Sequence, residues 1–409
     1  MNARRALAFI FCTVTLDVLA LGLMIPVLPR IVLGFMDNDT ARAAEVFGLF
    51  ATVWGAMQFI CSPLLGALSD RYGRRPVILI SCLGLGLDYI FMAVAPSLTL
   101  LFVGRVISGI TAATITTSYA YIADVTEAEK RAKAFGLVGM AFGLGFVLGP
   151  AIGGLLASVD PRLPFWLSAI ACVANAAFGW FVLPESLPPE RRMAFAWARA
   201  NPLGSLRLLS RHAQLLGLSV ANFFGQLAHQ VLPSVFVLYA AYRYGWGESM
   251  VGLTLAFVGV CSAVVQGALI GPAMAWLGER RATVLGLLAG GLGMLIYGLA
   301  PNGWLFWVGV PVMSLWGLSG PASLQIMTRM VSPSEQGQLA GANTAMASIA
   351  GLVAPGLFAL TFAHLIGPLP GAPFLLAGMF LLLAFVLAWA ATRSPVRTAT
   401  TPPIAGRPR

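Results

Sequence analysis

Two carboxylates and one guanidinium stand inside stretches that are otherwise apolar: Asp17 after FIFCTVTL, Asp88 after LGLGL and Arg105 after LFVG. A carboxylate in a bilayer core costs several kcal/mol unless it is paired, hydrated or protonated. A group poised between those states can bind a proton from one side of a membrane and release it to the other. Counted about eleven residues into its stretch at 1.5 Å each, Asp17 lies roughly 17 Å deep, near the middle of a hydrocarbon core about 30 Å thick. Asp88, counted from Pro76, reaches about the same depth by the same arithmetic. The apolar stretches of the second half contain no acid, so any proton coupling belongs to the first half. For both acids the alternative reading is structural: a salt-bridged or permanently protonated residue that fixes helix register. Arg105 keeps its charge about 10 Å from the outer end of its stretch. Its distance from Asp17 or Asp88 is expected to change in a working cycle, and snorkelling to the outer surface is the alternative.

Such residues need membrane-crossing helices to hold them. Of 409 residues 58% are hydrophobic and 10% charged, against about 25% charged in soluble domains, so the bilayer is the main solvent. About twelve apolar stretches near twenty residues long run from 6–28 to 372–391, parted by short turns or charged clusters. With the amino terminus inside, the basic turns and both termini fall on the cytoplasmic side. Of 25 Lys and Arg only Arg30, Arg42, Arg162 and Arg243 then lie outside. That asymmetry is expected of a multi-pass protein of the cell inner membrane with both termini cytoplasmic. The net charge of +10 is spread over every cytoplasmic turn instead of forming one stripe, which argues against nucleic acid as a partner. Arg4-Arg5 opens the first stretch as in a signal peptide, yet its length and Asp17 read as a retained span. Cys12, Cys61, Cys82, Cys172 and Cys261 lack CxxC spacing and read as packing residues. With three histidines and no HExxH or Walker GxxxxGK[ST], no metal site, no cofactor and no ATP-driven pump is expected.

From Pro184 a polar, Pro-rich stretch lasts to about Ala213. It divides the chain into a first bundle over 1–183, a cytoplasmic linker over 184–212 and a second bundle with a cytoplasmic tail over 213–409. Gly66 and Gly271, Gly73 and Gly278, Arg75 and Arg280, Gly104 and Gly309, Gly136 and Gly341, and Pro150 and Pro355 are each 205 positions apart. One shared offset at equivalent places implies duplication, and parallel repeats place a binding site at the midplane between them, with rocking of the halves as the expected motion.

The turn after the second stretch reads GALSDRYGRRP from Gly66 to Pro76. It resembles the GxxxDRxGRR signature of the major facilitator superfamily. The resemblance implies an all-α membrane protein of 12 transmembrane helices in two pseudo-symmetric six-helix bundles, functional as a monomer in the lipid bilayer. In that family the motif forms a gate, which here would use Gly66, Asp70, Gly73 and Arg74. Asp70 would sit near the amino end of the eleventh helix, beginning near Gly337, where the helix dipole favours negative charge. Arg74 would pair with Asp124 to latch the outward-open state. The second copy, Gly271 to Arg281, has Ala275 where Asp70 stands, so a weaker latch is expected. Gly145, Gly149, Pro150, Gly153 and Gly154 in the fifth span resemble the antiporter motif of the superfamily's drug exporters. Small residues there let two helices approach closely, and Pro150 bends the span.

Leu87-Asp88-Tyr89, Gly104-Arg105, Tyr121-Ile122-Ala123-Asp124, Leu183-Pro184-Glu185-Ser186 and Gly278-Glu279-Arg280-Arg281 narrow the resemblance to Tet-type drug and proton antiporters, similar to tetracycline exporters over nearly the whole chain. It implies export of a drug-like small molecule, the tetracycline class among the candidates, against H+ as the energy source. Asp17, Asp88 and Arg105 would be its coupling or substrate residues. In the second half Gln226, His229, Gln230, Ser262, Gln266, Trp316 and Gln325 are candidate cavity-lining groups, with helix–helix hydrogen bonding as the bland alternative for each. Tetracycline exporters carry a histidine in the eighth span and an aspartate in the ninth, where this chain has Ser262 and Gly290. The missing side chain at Gly290 is expected to leave room for a bulkier apolar drug. A proton-coupled uptake symporter for a metabolite, or a non-transporting membrane scaffold or receptor, are the alternatives. The antiporter motif argues against the first and the midplane acids against the second.

Overall fold

The computed structural model describes residues 3–112, 114–127, 131–192, 208–209, 213–332 and 335–393. Most of the 184–212 linker, the tail beyond 393 and the basic residues Lys130, Arg199, Arg207, Arg211, Arg397, Arg407 and Arg409 lie outside that set.

The apolar stretches fold as helices because a backbone in hydrocarbon must satisfy its polar groups internally. The first half comprises α1 (Ala3–Met24), α2 (Leu28–Phe35), α3 (Thr40–Tyr72), α4 (Arg74–Val94), α5 (Leu98–Thr111), α6 (Thr114–Val125), α7 (Arg131–Ala157) and α8 (Leu163–Val182). The pairs α1/α2 and α5/α6 are each one broken crossing. The second half comprises α9 (Ala213–His229), α10 (Val231–Tyr244), α11 (Glu248–Val264), α12 (Ile270–Leu299), α13 (Gly303–Ser314), α14 (Ser319–Met330), α15 (Gln336–Leu365) and α16 (Ala372–Ala391). Among the described residues eleven segments are long and apolar enough to cross a membrane, and one of them, Glu248–Leu299, has 52 residues. That is about 78 Å of helix, more than two passes through a core about 30 Å thick. Gly278, at φ 72° and ψ 166°, turns the chain back inside it. The chain therefore makes twelve crossings.

The backbone irregularities repeat at the offset seen in the sequence. The break at 25–27 has its counterpart at Gln230, between α9 and α10. Pro63 inside α3 corresponds to a π-helical turn at Val265–Leu269. The break after Thr111 corresponds to a 3-10 turn at Leu315–Leu318, and Pro150 inside α7 to Pro355 inside α15. Gly73 and Gly278 both have positive φ, 107° and 72°, which side chains disfavour. Two copies of one scaffold, broken at the same places, explain this set.

Within the first half α1 packs on α7 and α8, and α4 on α5 and α8; within the second, α12 packs on α13 and α16, and α16 on α9. The halves meet along α3 against α15 and α7 against α11. Backbones nearly touch there: a methyl at Gly55 would stand 2.8 Å from the Gly351 carbonyl oxygen, and one at Gly252 would stand 3.1 Å from Gly154 Cα. Beyond this close approach Arg30 reaches across the halves, 3.6 Å from Glu248 and donating to the Trp246 carbonyl. At the other end the faces of Gly66, Gly139, Gly143, Gly267 and Gly271 meet open space. The molecule is thus closed at the Arg30 end and open at the Asp70 end. Its apolar core agrees: one cluster joins both halves through Phe47, Phe236 and Phe358, while Phe9, Ile78, Tyr121 and Val138 form a second cluster confined to the first half.

Candidate functional site

Asp17 lies two turns before the end of α1 and is 7% exposed. No ion pair and no hydrogen bond of full geometry reaches either carboxylate oxygen among the described residues, and the Thr114 hydroxyl is the donor that stands beside it. The break in the fourth crossing brings the first residue of α6, Thr114, beside it. Next to this pocket Thr13 Oγ1 donates to Asn175 Oδ1 at 3.1 Å, and Asn175 Nδ2 lies 3.6 Å from Cys82 Sγ. At the offset of 205 the counterpart of Asp17 is Asn222, and it is satisfied. Asn222 Oδ1 accepts from Ser323 Oγ at 3.1 Å, and its Nδ2 lies 3.2 Å from Met327 Sδ. The same scaffold position thus holds a bonded amide in one half and an unpaired acid in the other.

Asp88 and Arg105 form a buried ion pair at 2.9 Å, with side chains 0% and 5% exposed. Gly104 makes it possible, since a methyl there would come within 2.8 Å of Asp88 Oδ1. The depth expected for Asp88 is corrected. α4 ends at Val94, so Asp88 is six residues, about 9 Å, from the closed end, level with Arg105 about 10 Å into α5. The acid belongs to the outer third, and Asp17 alone is left near the midplane.

The residues of the 66–76 turn and Asp124 gather at the open end. Gly73 separates α3 from α4, and the Glu185 carboxylate lies over it, accepting from the Arg74 N–H at 2.8 Å and the Arg75 N–H at 3.3 Å. Free N–H groups at a helix start favour an anion, which is the local reason for Glu185. Arg74 reaches Asp70 at 2.5 Å, Asp124 at 3.2 Å and Ser69 Oγ at 2.6 Å, and Ser186 Oγ donates to Asp124 at 3.1 Å. Asp70 pairs with Arg74 of its own half, and Gly66 faces open space. The second copy also holds a pair. Glu279 and Arg329, 2.6 Å apart, stand 205 positions after Arg74 and Asp124 with the charges reversed. Ala275 therefore does not leave that half without an ion pair at the equivalent place.

In the fifth crossing Gly145 and Gly149 pack on α1, a methyl at Gly145 coming 2.8 Å from Leu19 N and one at Gly149 2.6 Å from Gly22 Cα. Gly153 meets Leu23, while Gly154 and Pro150 meet α11 at Glu248 and Gly252. Of the second-half polar groups, His229 and Trp316 are brought together with ring centroids 5.7 Å apart. The Gln266 side chain and Trp316 flank Gly317 and Gly225 respectively. Gln230 turns its amide toward Gly351 on α15. Gln226 and Gln325 are exposed and Ser262 half-buried. The room expected at Gly290 is absent: a methyl there would stand 2.8 Å from Trp316 Cβ and 3.2 Å from Leu381 Cδ1. Trp316 fills the space that the glycine leaves.

Sequence reasoning missed Asn222, the Glu279–Arg329 pair, Glu185 and the Thr114–Ser118 hydroxyls. The offset, applied to polar residues as well as to Gly and Pro, points to the first two.

Twelve crossings in two repeats, meeting along two related helix pairs around a buried carboxylate, define a polytopic membrane transporter. The chain belongs to the Major Facilitator Superfamily, whose profile matches residues 7–355, and it is not an enzyme. It is 37% identical over 363 residues to "Tetracycline resistance protein, class C" of Escherichia coli, covering 89% of this chain and 91% of that one. Among solved structures the human organic anion transporter MFSD10 (TETRAN) aligns with a TM-score of 0.69 at 24% identity, covering 95% and 100% of the two chains. The nucleoside transporter NupG aligns with a TM-score of 0.75 at 13% identity, covering 96% and 99%. These two likenesses concern the fold.

Proposed function

We propose that the protein is a proton-coupled exporter of a drug-like small molecule that works by alternating access. It would sit in the cell inner membrane with both termini cytoplasmic, act as a monomer, and draw on the proton gradient with no cofactor. The observation that carries this reading is Asp17: buried, unpaired and near the midplane, where its repeat counterpart is a bonded asparagine. A carboxylate in that place is tolerated when it binds and releases a proton. The Asp88–Arg105 pair is assigned to holding α4 on α5, and the Asp70–Arg74–Asp124 cluster to the cytoplasmic gate; its pairs are formed here while that end is open, so the Arg74–Asp124 pair is not by itself the latch of the outward-open state. The tetracycline class is the first substrate to try, because the 37% identical relative is named for tetracycline resistance. The test is a drug-susceptibility panel in cells lacking their own exporters, joined to flux in inside-out vesicles with an acid interior. Resistance to at least one drug, with uptake of that drug into the vesicles, is expected. Drug moving only outward from such vesicles would instead support an importer.

A further inference from the structure

The face of α6 next to Asp17 carries hydroxyls at helical spacing. Thr114, Thr117, Ser118 and Tyr121 stand at i, i+3, i+4 and i+7, one stripe of an α-helix, and are 2%, 1%, 0% and 0% exposed. The hydroxyls of Thr117 and Ser118 have no hydrogen-bond partner among the described residues, and that of Thr114 stands against Asp17 and Cys82 without a bond of full geometry. Tyr121, one turn further on, donates to the Pro184 carbonyl at 3.0 Å. Asp124, three residues later, joins the Arg74 cluster at the open end. From Thr114 to Asp124 is about 15 Å along the axis.

The second half is an internal control. The equivalent positions are Ser319, Ala322, Ser323 and Ile326. Ser319 donates to the Trp316 carbonyl at 2.9 Å, and Ser323 to Asn222 at 3.1 Å, so both hydroxyls of this copy are satisfied within the protein. An unmade hydrogen bond at a buried polar group costs about 1–3 kcal/mol. Three such hydroxyls on one face of α6, with the Asp17 carboxyl of α1 beside the first of them, call for partners, and water supplies them where polar groups line a path.

We propose that Thr114, Thr117 and Ser118 hold a file of water molecules that links Asp17 to the Asp124 end of the bundle and carries its proton there. The proposal rests on the coupling role assigned above to Asp17. In the step itself the Asp17 O–H bond breaks, the adjacent water gains that proton and passes one of its own along the file, and one proton reaches bulk water, leaving a carboxylate. At its Asp17 end the file meets Cys82 on α4, which lies against Thr114 and is joined through Asn175 on α8 to Thr13 on α1.

Radiolytic hydroxyl-radical footprinting labels side chains beside bound water, and it is read at Tyr121 and Cys82 in the wild type and in a Thr117→Val, Ser118→Ala double variant. Tetracycline-driven proton movement and tetracycline binding are measured on the same proteins in liposomes. Both residues should be labelled in the wild type and much less in the variant. Proton movement should slow about fivefold for each hydroxyl removed, the equivalent of one hydrogen bond, with binding unchanged, and Thr117→Ser should restore it. Wild-type protein without labelling, or a variant labelled like the wild type, overturns the water file whatever the protein transports. Labelling that behaves as expected in a wild type that moves no protons supports the file and overturns the coupling role of Asp17.

Discussion

Asp17 and Asn222 occupy one place in two copies of a scaffold, and only their chemistry separates them. Asp88 differs from both because Arg105 neutralises it at 2.9 Å inside the protein. Removing one partner of a buried pair leaves the other uncompensated, at about 3–5 kcal/mol. Asp88→Asn should therefore lower the unfolding temperature in detergent markedly, while Asp88→Asn with Arg105→Leu recovers most of it. An Asp88→Asn variant as stable as the wild type would show that the pair does not hold α4 on α5. At Gly290 the crowding by Trp316 predicts that Gly290→Asp alone reduces folded yield, since overpacking costs about 1–3 kcal/mol. Gly290→Asp with Trp316→Ala should restore yield and raise the minimum inhibitory concentration of tetracycline above that of either single variant. Normal yield from Gly290→Asp alone would contradict the packing account.

At the scale of elements, the contact of α7 with α11 depends on backbone touching backbone. A valine at Gly252 would press on Gly154 Cα at 3.1 Å and the Pro150 carbonyl carbon at 3.3 Å, and a backbone cannot yield as a side chain does. Gly252→Val should keep the Arg30 end from closing. Turnover is expected to fall by roughly tenfold or more, as expected for about 1.4 kcal/mol or more of lost closure. A cysteine placed at Ser249 should become more reactive to a membrane-impermeant maleimide. Unchanged reactivity and turnover would mean the halves need not meet there. The two ion pairs at the turns can be compared by double-mutant cycles on transport rate. Glu279–Arg329 has side chains 20% and 57% exposed, against 11% for Arg74 and 23% for Asp124. Its coupling should fall in the range of about 0.2–1 kcal/mol for exposed pairs and below that of Arg74–Asp124; the reverse order would overturn this assignment.

Over the whole molecule, the twelve crossings, the duplication and the pairing of Arg74 with Asp124 were legible in the sequence. A 20-residue apolar run, a glycine at a chain reversal and a basic turn are each dictated by local chemistry. What was not legible depended on helix ends and on contacts between crossings. Asp88 reads as a midplane acid when its depth is counted from Pro76 alone, although its apolar stretch ends within about two turns after it, and Gly290 reads as empty space until Trp316 is seen to fill it. The pairing of Asp88 with Arg105, which leaves Asp17 as the unpaired acid, likewise appears only in three dimensions. That contrast is the centre of the account, and Asp17→Asn tests it most directly because Asn222 shows that the scaffold accepts an amide at this place. Proton release on adding tetracycline, or whichever drug the susceptibility panel identifies, is measured in proteoliposomes holding equal amounts of wild type and variant. Wild type should release protons, while Asp17→Asn, folded and still binding drug, releases none; release at the wild-type rate from Asp17→Asn would contradict the account.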